Sequence, residues 1–149
     1  MIDSRYLAGV MDSDGSFSIT KHHIKRPNCS YVCTIQLTWS LTDKSKSFME
    51  DLVTQYGGSY FCGFPSGKTH YPNTKKVIKY NATASAAEKI VKDVLPHLIL
   101  KKQQAENILK ARALVCPLGT KNRPQEITDK LQELYIKNKE LNTKNKGSL

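Results

Sequence analysis

Two things this chain does not have narrow its class first. None of its apolar runs approaches the roughly 20 residues of a bilayer-spanning helix, and its start lacks the basic-then-apolar pattern of a secretory signal. The expectation is an intracellular protein, in a prokaryotic cytoplasm or an organelle, with no membrane partner. Cysteine is sparse: Cys29, Cys33, Cys62 and Cys116 are the four present, and without an export signal they read as reduced thiols rather than a disulfide framework. Cys29 and Cys33 could supply half of a zinc site, but no second ligand pair follows at finger spacing, so strand cysteines are the simpler reading. No long-period repeat is found. Acidic residues are also short: 13 Asp and Glu stand against 23 Lys and Arg, a formal net charge of +10. A surplus of this size in a small domain points to a polyanion, most often nucleic acid, because Lys and Arg at phosphates release condensed counterions. Composition alone does not choose among DNA, RNA and an anionic membrane.

What is present fits one domain of 149 residues, long enough to bury a core. The stretch from Tyr6 to Ile19 organises the rest. Leu7, Val10 and Met11 recur at i, i+3 and i+4, giving a short helix one apolar stripe, while Ala8 and Gly9 leave room for another backbone. Asp12 and Asp14 follow at the helix C-terminus, where the macrodipole disfavours a carboxylate; a hard cation there would explain them. Gly15 ends the helix, and Ser16 to Lys25 alternates as a strand with Phe17 and Ile19 on one side. Pro27 and Asn28 make a turn. The return strand has Ile35, Leu37, Trp39 and Leu41 on one face and Thr34, Gln36, Thr38 and Ser40 on the other, a polar face almost without charge. Such hydroxyl and amide side chains suit base edges about as well as they suit a plain solvated sheet.

Thr42 or Asp43 caps a second helix whose expected buried stripe is Phe48, Leu52, Val53 and Tyr56, stopped by Gly57-Gly58. A second hairpin pairs Ser59 to Phe64 with Lys75 to Thr83 across an exposed loop from Pro65 to Thr74. There Ile78, Tyr80 and Ala82 take the apolar phase and Lys75, Lys79 and Asn81 the polar one. Ser85 and Glu88 form a capping-box pattern for a third helix with Ile90, Val91, Val94 and Leu95 inward, closed by Pro96. A fourth helix runs from about Lys101 to Cys116 on Ala105, Ile108, Leu109 and Ala113, broken by Pro117 and Gly119. Pro124 opens a fifth, to about residue 142, carrying Ile127, Leu131, Leu134 and Leu141, with a frayed lysine-rich tail over 143–149. The class is α+β: helix, two strands, helix, two strands, then helices.

Leu7-Ala-Gly-Val-Met-Asp-Ser-Asp-Gly15 resembles the motif of the LAGLIDADG homing endonucleases at six of nine positions. The element order resembles that family's αββαββα core, with a four-stranded antiparallel DNA-binding sheet. Leu95 to Ala105 is similar to its downstream lysine and glutamine segment, so the resemblance covers about Ile2 to Leu114. It implies a site-specific double-strand DNA endonuclease, metal-dependent and leaving 3′ overhangs, with Mg²⁺ as cofactor, Mn²⁺ able to replace it, and no organic cofactor. One motif per chain implies a homodimer on a long pseudo-palindromic site, with Ala8, Gly9 and Asp12 at the interface and each sheet along a major groove. By the same resemblance Asp14 is the catalytic metal ligand, helped by the Ser13 backbone carbonyl, and Asp12 is more structural. Lys101 is the basic residue near the scissile phosphate with Lys102 beside it, and Asp43 and Lys46 are candidates for organising water. Two acids merely closing a turn before Gly15 is the plainer reading of the aspartates taken alone.

Hydrolysing a phosphodiester needs an attacking water, neutralised phosphorane charge and help for the leaving oxygen, all of which a bound divalent ion can supply. No general base stands out among His22, His23, His70 and His97. Sequence reading is expected from Ser18, Thr20, His22, Thr34, Gln36, Thr38, Ser40, Lys75, Lys79 and Asn81, with Gln36 and Asn81 favouring adenine. The competing readings on the same fold are an intron RNA maturase and a cleavage-inactive DNA-binding protein.

Overall fold

The computed structural model of the chain describes residues 1–23, 29–65, 74–115 and 123–147, the side chains of residues 23, 29 and 144–147 excepted. Several expected features lie outside the described residues: the turn at Pro27 and Asn28, loop residues 66–73 with His70, the Cys29 side chain, Cys116, Pro117 and Gly119.

Helix α1 spans Ser4–Ser13, and Asp3 caps it by accepting from Arg5 N at 2.9 Å and Tyr6 N at 3.1 Å. Leu7, Ala8, Val10 and Met11 are its buried face. The chain then turns at Asp14 directly into β1 (Gly15–His23). Glycine is needed at 15 because a Cβ there would lie 2.9 Å from the Met11 Cα as well as inside the Met11 side chain. With β2 (Cys29–Ser40), β3 (Ser59–Gly63) and β4 (Val77–Thr83) it forms one antiparallel sheet in the order β1-β2-β4-β3.

The period-2 pattern is realised in the pairing. Phe17 faces Ile35 and Ile35 faces Ala82, while Leu37 faces Tyr80 and Tyr80 faces Tyr60. Phe17, Ile35, Leu37, Ile78, Tyr80 and Ala82 are all essentially buried, and the helices stack on this side to make the core. β4 is shorter than expected: Lys75 precedes it, exposed and outside the ladder.

Helix α2 (Asp43–Tyr56) starts at Thr42, which exchanges hydrogen bonds with Ser45 in a capping box. Its buried residues are Ser45, Met49, Leu52 and Tyr56. Leu52 and Tyr56 are buried as expected, whereas Phe48 and Val53 are only partly buried and Met49 and Ser45 take the interior. Gly57 and Gly58 have φ of 89° and 84°, the left-handed region where glycine carries no Cβ penalty. The Gly57 carbonyl accepts from the Tyr80 hydroxyl at 2.6 Å, tying the turn to the sheet.

Helix α3 (Ala84–Val94) buries Ala87, Ile90, Val91 and Val94. The Ser85–Glu88 capping box does not form: the cap residue is Thr83, without a side-chain cap bond, and Ala84 sits at φ 52° at the junction. Glu88 turns instead to Lys92 at 2.8 Å and Arg112 at 3.1 Å. A 3-10 turn, Leu95–His97, holds Pro96 and leads to α4 (Lys102–Val115). There Gln104, Asn107 and Ala111 are buried with Ala105 and Ile108, whereas Ala113 is exposed and Leu109 only partly covered.

Helix α5 runs Gln125–Gly147, past the expected fraying point at 143. Leu131 is fully buried, and Ile127 and Leu134 pack against the core. Asn138, 1 % exposed, and Asn142 both donate to the Phe17 carbonyl, at 2.9 and 3.0 Å. Two side-chain amides of α5 thus converge on one carbonyl of β1, the edge strand of the sheet.

Candidate active site and nucleic-acid interface

The two aspartates of the α1 terminus face different partners. Asp12 turns inward: its Oδ2 accepts from Ile99 N at 2.8 Å, and its Oδ1 from Leu100 N at 3.2 Å and Lys101 N at 3.0 Å. It therefore clamps the segment entering α4 onto the end of α1. Asp14 is exposed. Its Oδ2 accepts from the Trp39 indole Nε1 at 2.9 Å, and its Oδ1 has no hydrogen-bond partner among the described residues.

Lys101 completes the corner. Its Nζ donates to the Met11 carbonyl at 3.0 Å and to the Gly15 carbonyl, so a cation meets the negative end of α1. An ammonium has three N–H donors, and the third is directed to no protein acceptor among the described residues. Burial pushes the Lys101 amine below its usual range, with the Asp12 and Asp14 carboxylates pulling the other way. Ser13, the last helical residue, has a carbonyl beyond the intrahelical ladder; its hydroxyl donates to the Val10 carbonyl at 3.1 Å.

The other expected catalytic residues stand apart. Asp43 opens α2 and Lys46 lies within its first turn, both exposed, and neither side chain has a hydrogen bond or ion pair with Asp14 or Lys101 among the described residues. Of the expected dimer residues, Ala8 requires correction: it is fully buried in the protomer core and offers nothing to a partner. Gly9 is exposed, with nothing within 4 Å of where a Cβ would sit. The Asp12 carboxylate is committed to the chain's own amides.

The polar face of the sheet assembles as the alternation requires. Ser18 pairs with Thr34 and Thr34 with Thr83; Ser16 pairs with Gln36, Gln36 with Asn81 and Asn81 with Ser59. Thr38 stands opposite Lys79 and Lys79 opposite Phe61, while Thr20 and exposed His22 extend the same face of β1. Gln36 Nε2 donates to Asn81 Oδ1 at 3.3 Å. Thr34 is only 8 % exposed, which makes it the least available of the expected reading residues. Lys75 is exposed just before β4, and Lys102, the first residue of α4, is exposed beyond the Lys101 corner. Ser16, Ser59, Phe61 and Thr83 join the face without having been singled out. Their period-2 phase was the available signal, once β3 was placed at the sheet edge. Beside Ser18 and Thr20, a cleft of about 340 Å³ runs under α5 at Asn138, Lys139, Asn142 and Thr143.

Among the described residues no three His, Cys, Asp or Glu side chains gather into a metal-binding group. Cys33 is buried against the Ile108 carbonyl, 3.7 Å from its Sγ, as a strand cysteine. A hard cation that keeps most of its waters needs only one or two carboxylates, and a solvent-facing carboxylate with one oxygen free beside a helix-end carbonyl fits that requirement.

The sequence model of the LAGLIDADG endonuclease family matches residues 7–113. The chain belongs to this family. This LAGLIDADG chain has no match among curated proteins. Its fold matches solved homing endonucleases at low sequence identity. The archaeal intron-encoded I-Vdi141I, solved with DNA, aligns at a TM-score of 0.69 and 14% identity over 93% of this chain and 82% of that one. I-CvuI, solved with the I-CreI target in the presence of Mg, aligns at 0.68 and 15% over 93% and 80%. I-TnaI aligns at 0.67 and 12% over 97% of both chains. No helix among the described residues is long and apolar enough to cross a membrane.

Proposed function

We propose that the protein is a homodimeric, site-specific DNA endonuclease that makes a double-strand break with 3′ overhangs in a long, pseudo-palindromic target, using Mg²⁺ or Mn²⁺. The observation that carries this reading is the corner at the end of α1, where exposed Asp14 is followed by Gly15, whose carbonyl accepts from the half-buried Lys101 ammonium, beside a broad polar sheet face.

In this reading two copies approach through the open Gly9 side of α1, bringing the two Asp14 carboxylates near the dimer axis. Asp14 Oδ1 and the Ser13 carbonyl hold the divalent ion, which when bound neutralises phosphorane charge and lowers the pKa of the attacking water. The third Lys101 N–H faces the scissile phosphate or the water beside it. Asp43 and Lys46, at the start of α2, act on flanking water or phosphate. The face made by Ser18, Thr20, His22, Gln36, Thr38, Ser40, Lys79 and Asn81 lies along the major groove, with Thr34 beneath it and Lys75 and Lys102 on phosphates. Gln36 and Asn81, already bonded to each other, read as a unit and favour adenine. The net charge of +10 supports binding that falls on the order of 10³-fold between 50 and 200 mM salt if about six phosphates are neutralised.

The test is incubation of the purified protein and Mg²⁺ with the host locus lacking the intervening sequence. A double-strand break that Asp14→Asn abolishes, with folding intact, is the expected result. Undiminished cleavage by Asp14→Asn refutes the mechanism, and binding to DNA or intron RNA without cleavage refutes the endonuclease.

A further inference from the structure

Trp39 is the single tryptophan of the chain, and the alternation of β2 puts it on the core side with Ile35 and Leu37. An indole there would be expected to bury its N–H on a fixed acceptor. Trp39 is instead only partly buried, and the acceptor its N–H finds is the solvent-exposed Asp14 carboxylate, at 2.9 Å. The indole is held in place by stacking. Its ring lies against Phe48, with centroids 4.9 Å apart and planes at 36°, and Tyr6 meets the same Phe48 ring edge-on at 5.9 Å. The three rings come from β2, α2 and α1, so the donor is fixed to the helix that presents the carboxylate.

An exposed aspartate has a broad terminal torsion and no preferred aim. With Oδ2 held by a stacked indole, Oδ1 is left as the oxygen without a hydrogen-bond partner among the described residues. We infer that Trp39 is a positioning residue of the metal site: its N–H fixes Asp14 Oδ2 and aims Asp14 Oδ1 at the cation. This rests on Asp14 being a metal ligand, and the experiment separates the two claims. Hydrogen bonds to a ligating carboxylate typically govern metal affinity by 10- to 100-fold.

Lanthanides serve as probes because they are hard, oxygen-seeking cations. In the full-length protein, excitation of Trp39 is expected to sensitise Tb³⁺ emission that saturates on titration and is lost in Asp14→Asn. Affinity is then compared by direct excitation of Eu³⁺, which needs no indole. Trp39→Phe keeps a ring against Phe48 but removes the donor, and is expected to weaken Eu³⁺ binding about tenfold or more. Because there is one tryptophan, its global replacement by benzothienylalanine removes the N–H alone while keeping the ring shape. It should give the same loss with an unchanged melting temperature, which keeps the test valid should Trp39→Phe be unstable. Wild-type or tighter Eu³⁺ affinity with benzothienylalanine at position 39, while Asp14→Asn is deficient, overturns the positioning role. Wild-type affinity in Asp14→Asn overturns the metal reading beneath it.

Discussion

Replacing Asp12 should destabilise the fold by loosening the join between α1 and the segment that enters α4. The Asp12 carboxylate accepts three backbone N–H groups, from Ile99, Leu100 and Lys101, at 2.8 to 3.2 Å. Hydrogen bonds to a charged acceptor contribute about 1.5–3 kcal/mol each when measured singly. These three share one carboxylate, and Ile99 and Leu100 are exposed, so water can recover part of the loss. A total of about 3 kcal/mol for Asp12→Ala is the physical expectation. For a domain of this size that lowers the melting temperature by about 6–12 °C. Asp12→Asn keeps one amide oxygen for the Leu100 and Lys101 amides and loses the Ile99 bond and the charge, so about half that effect is expected. Asp14→Asn should move the melting temperature little, because the carboxylate is exposed and, among the described residues, its one side-chain partner is Trp39. Calorimetry or circular dichroism on the three variants decides the matter. An Asp12→Ala protein within about 1 kcal/mol of wild type would show that the clamp does not hold α4 onto α1.

Other expectations follow from features away from that corner. Gly9→Leu should leave the protomer folded, since the space around that position is open and leucine favours a helix over glycine by under about 1 kcal/mol, yet sedimentation should show it monomeric; a dimer of wild-type strength would remove α1 from the interface. Native alkylation mapped by mass spectrometry should modify exposed Cys62 and spare Cys33. Burial pushes the Cys33 thiol up to about 12, leaving a thiolate fraction near pH 8 on the order of 10⁻⁴, so rapid native modification of Cys33 would contradict its packing. Glu88 is held below the usual carboxylate range by Lys92 and Arg112. Its contribution is therefore present above the unfolded-state value near 4.5 and lost as pH falls through the lower folded one, and Glu88→Gln should flatten the acid limb of a stability-versus-pH curve. Asn138→Ala should cost about 1–3 kcal/mol in urea unfolding, because Asn107 Nδ2 loses its partner 3.5 Å away and the Phe17 carbonyl loses one of its two α5 donors.

How much of this was legible varied with the kind of signal. Strand faces were read well from a period of two: Ile35 and Leu37 went inward, as did Ile78 and Tyr80, although Val77 and Lys76 had stood against the phase of β4. Helix phase was harder. Phe48 and Met49 are neighbours about 100° apart on α2, and the larger aromatic looked like the core residue. In the fold Met49 fills the interior while Phe48 joins Trp39 and Tyr6 at the margin. Ser45 was hidden by its polarity, since it is buried only through its exchange with Thr42 and the Ser40 carbonyl. A local pattern misled at Ser85 and Glu88, where two distant or downstream cations claimed the carboxylate. At the candidate site, the asymmetry between Asp12 and Asp14 came from the resemblance, but its cause lay in the amides of residues 99–101, some 87 positions away. The Trp39 donor was likewise invisible, because alternation assigns a side chain to a face and says nothing of where its one polar atom points.

The seal on the first strand has a temporal meaning. The Phe17 carbonyl waits for amides that lie 121 and 125 residues later in the chain. During synthesis the core sheet can pair β1, β2, β4 and β3 well before α5 exists, so for that interval a strand edge is open to other nascent copies. Such edges recruit neighbouring strands, and a contact of this sequence separation is slow to form. Slowing the delivery of α5 should therefore lower the yield of folded protein.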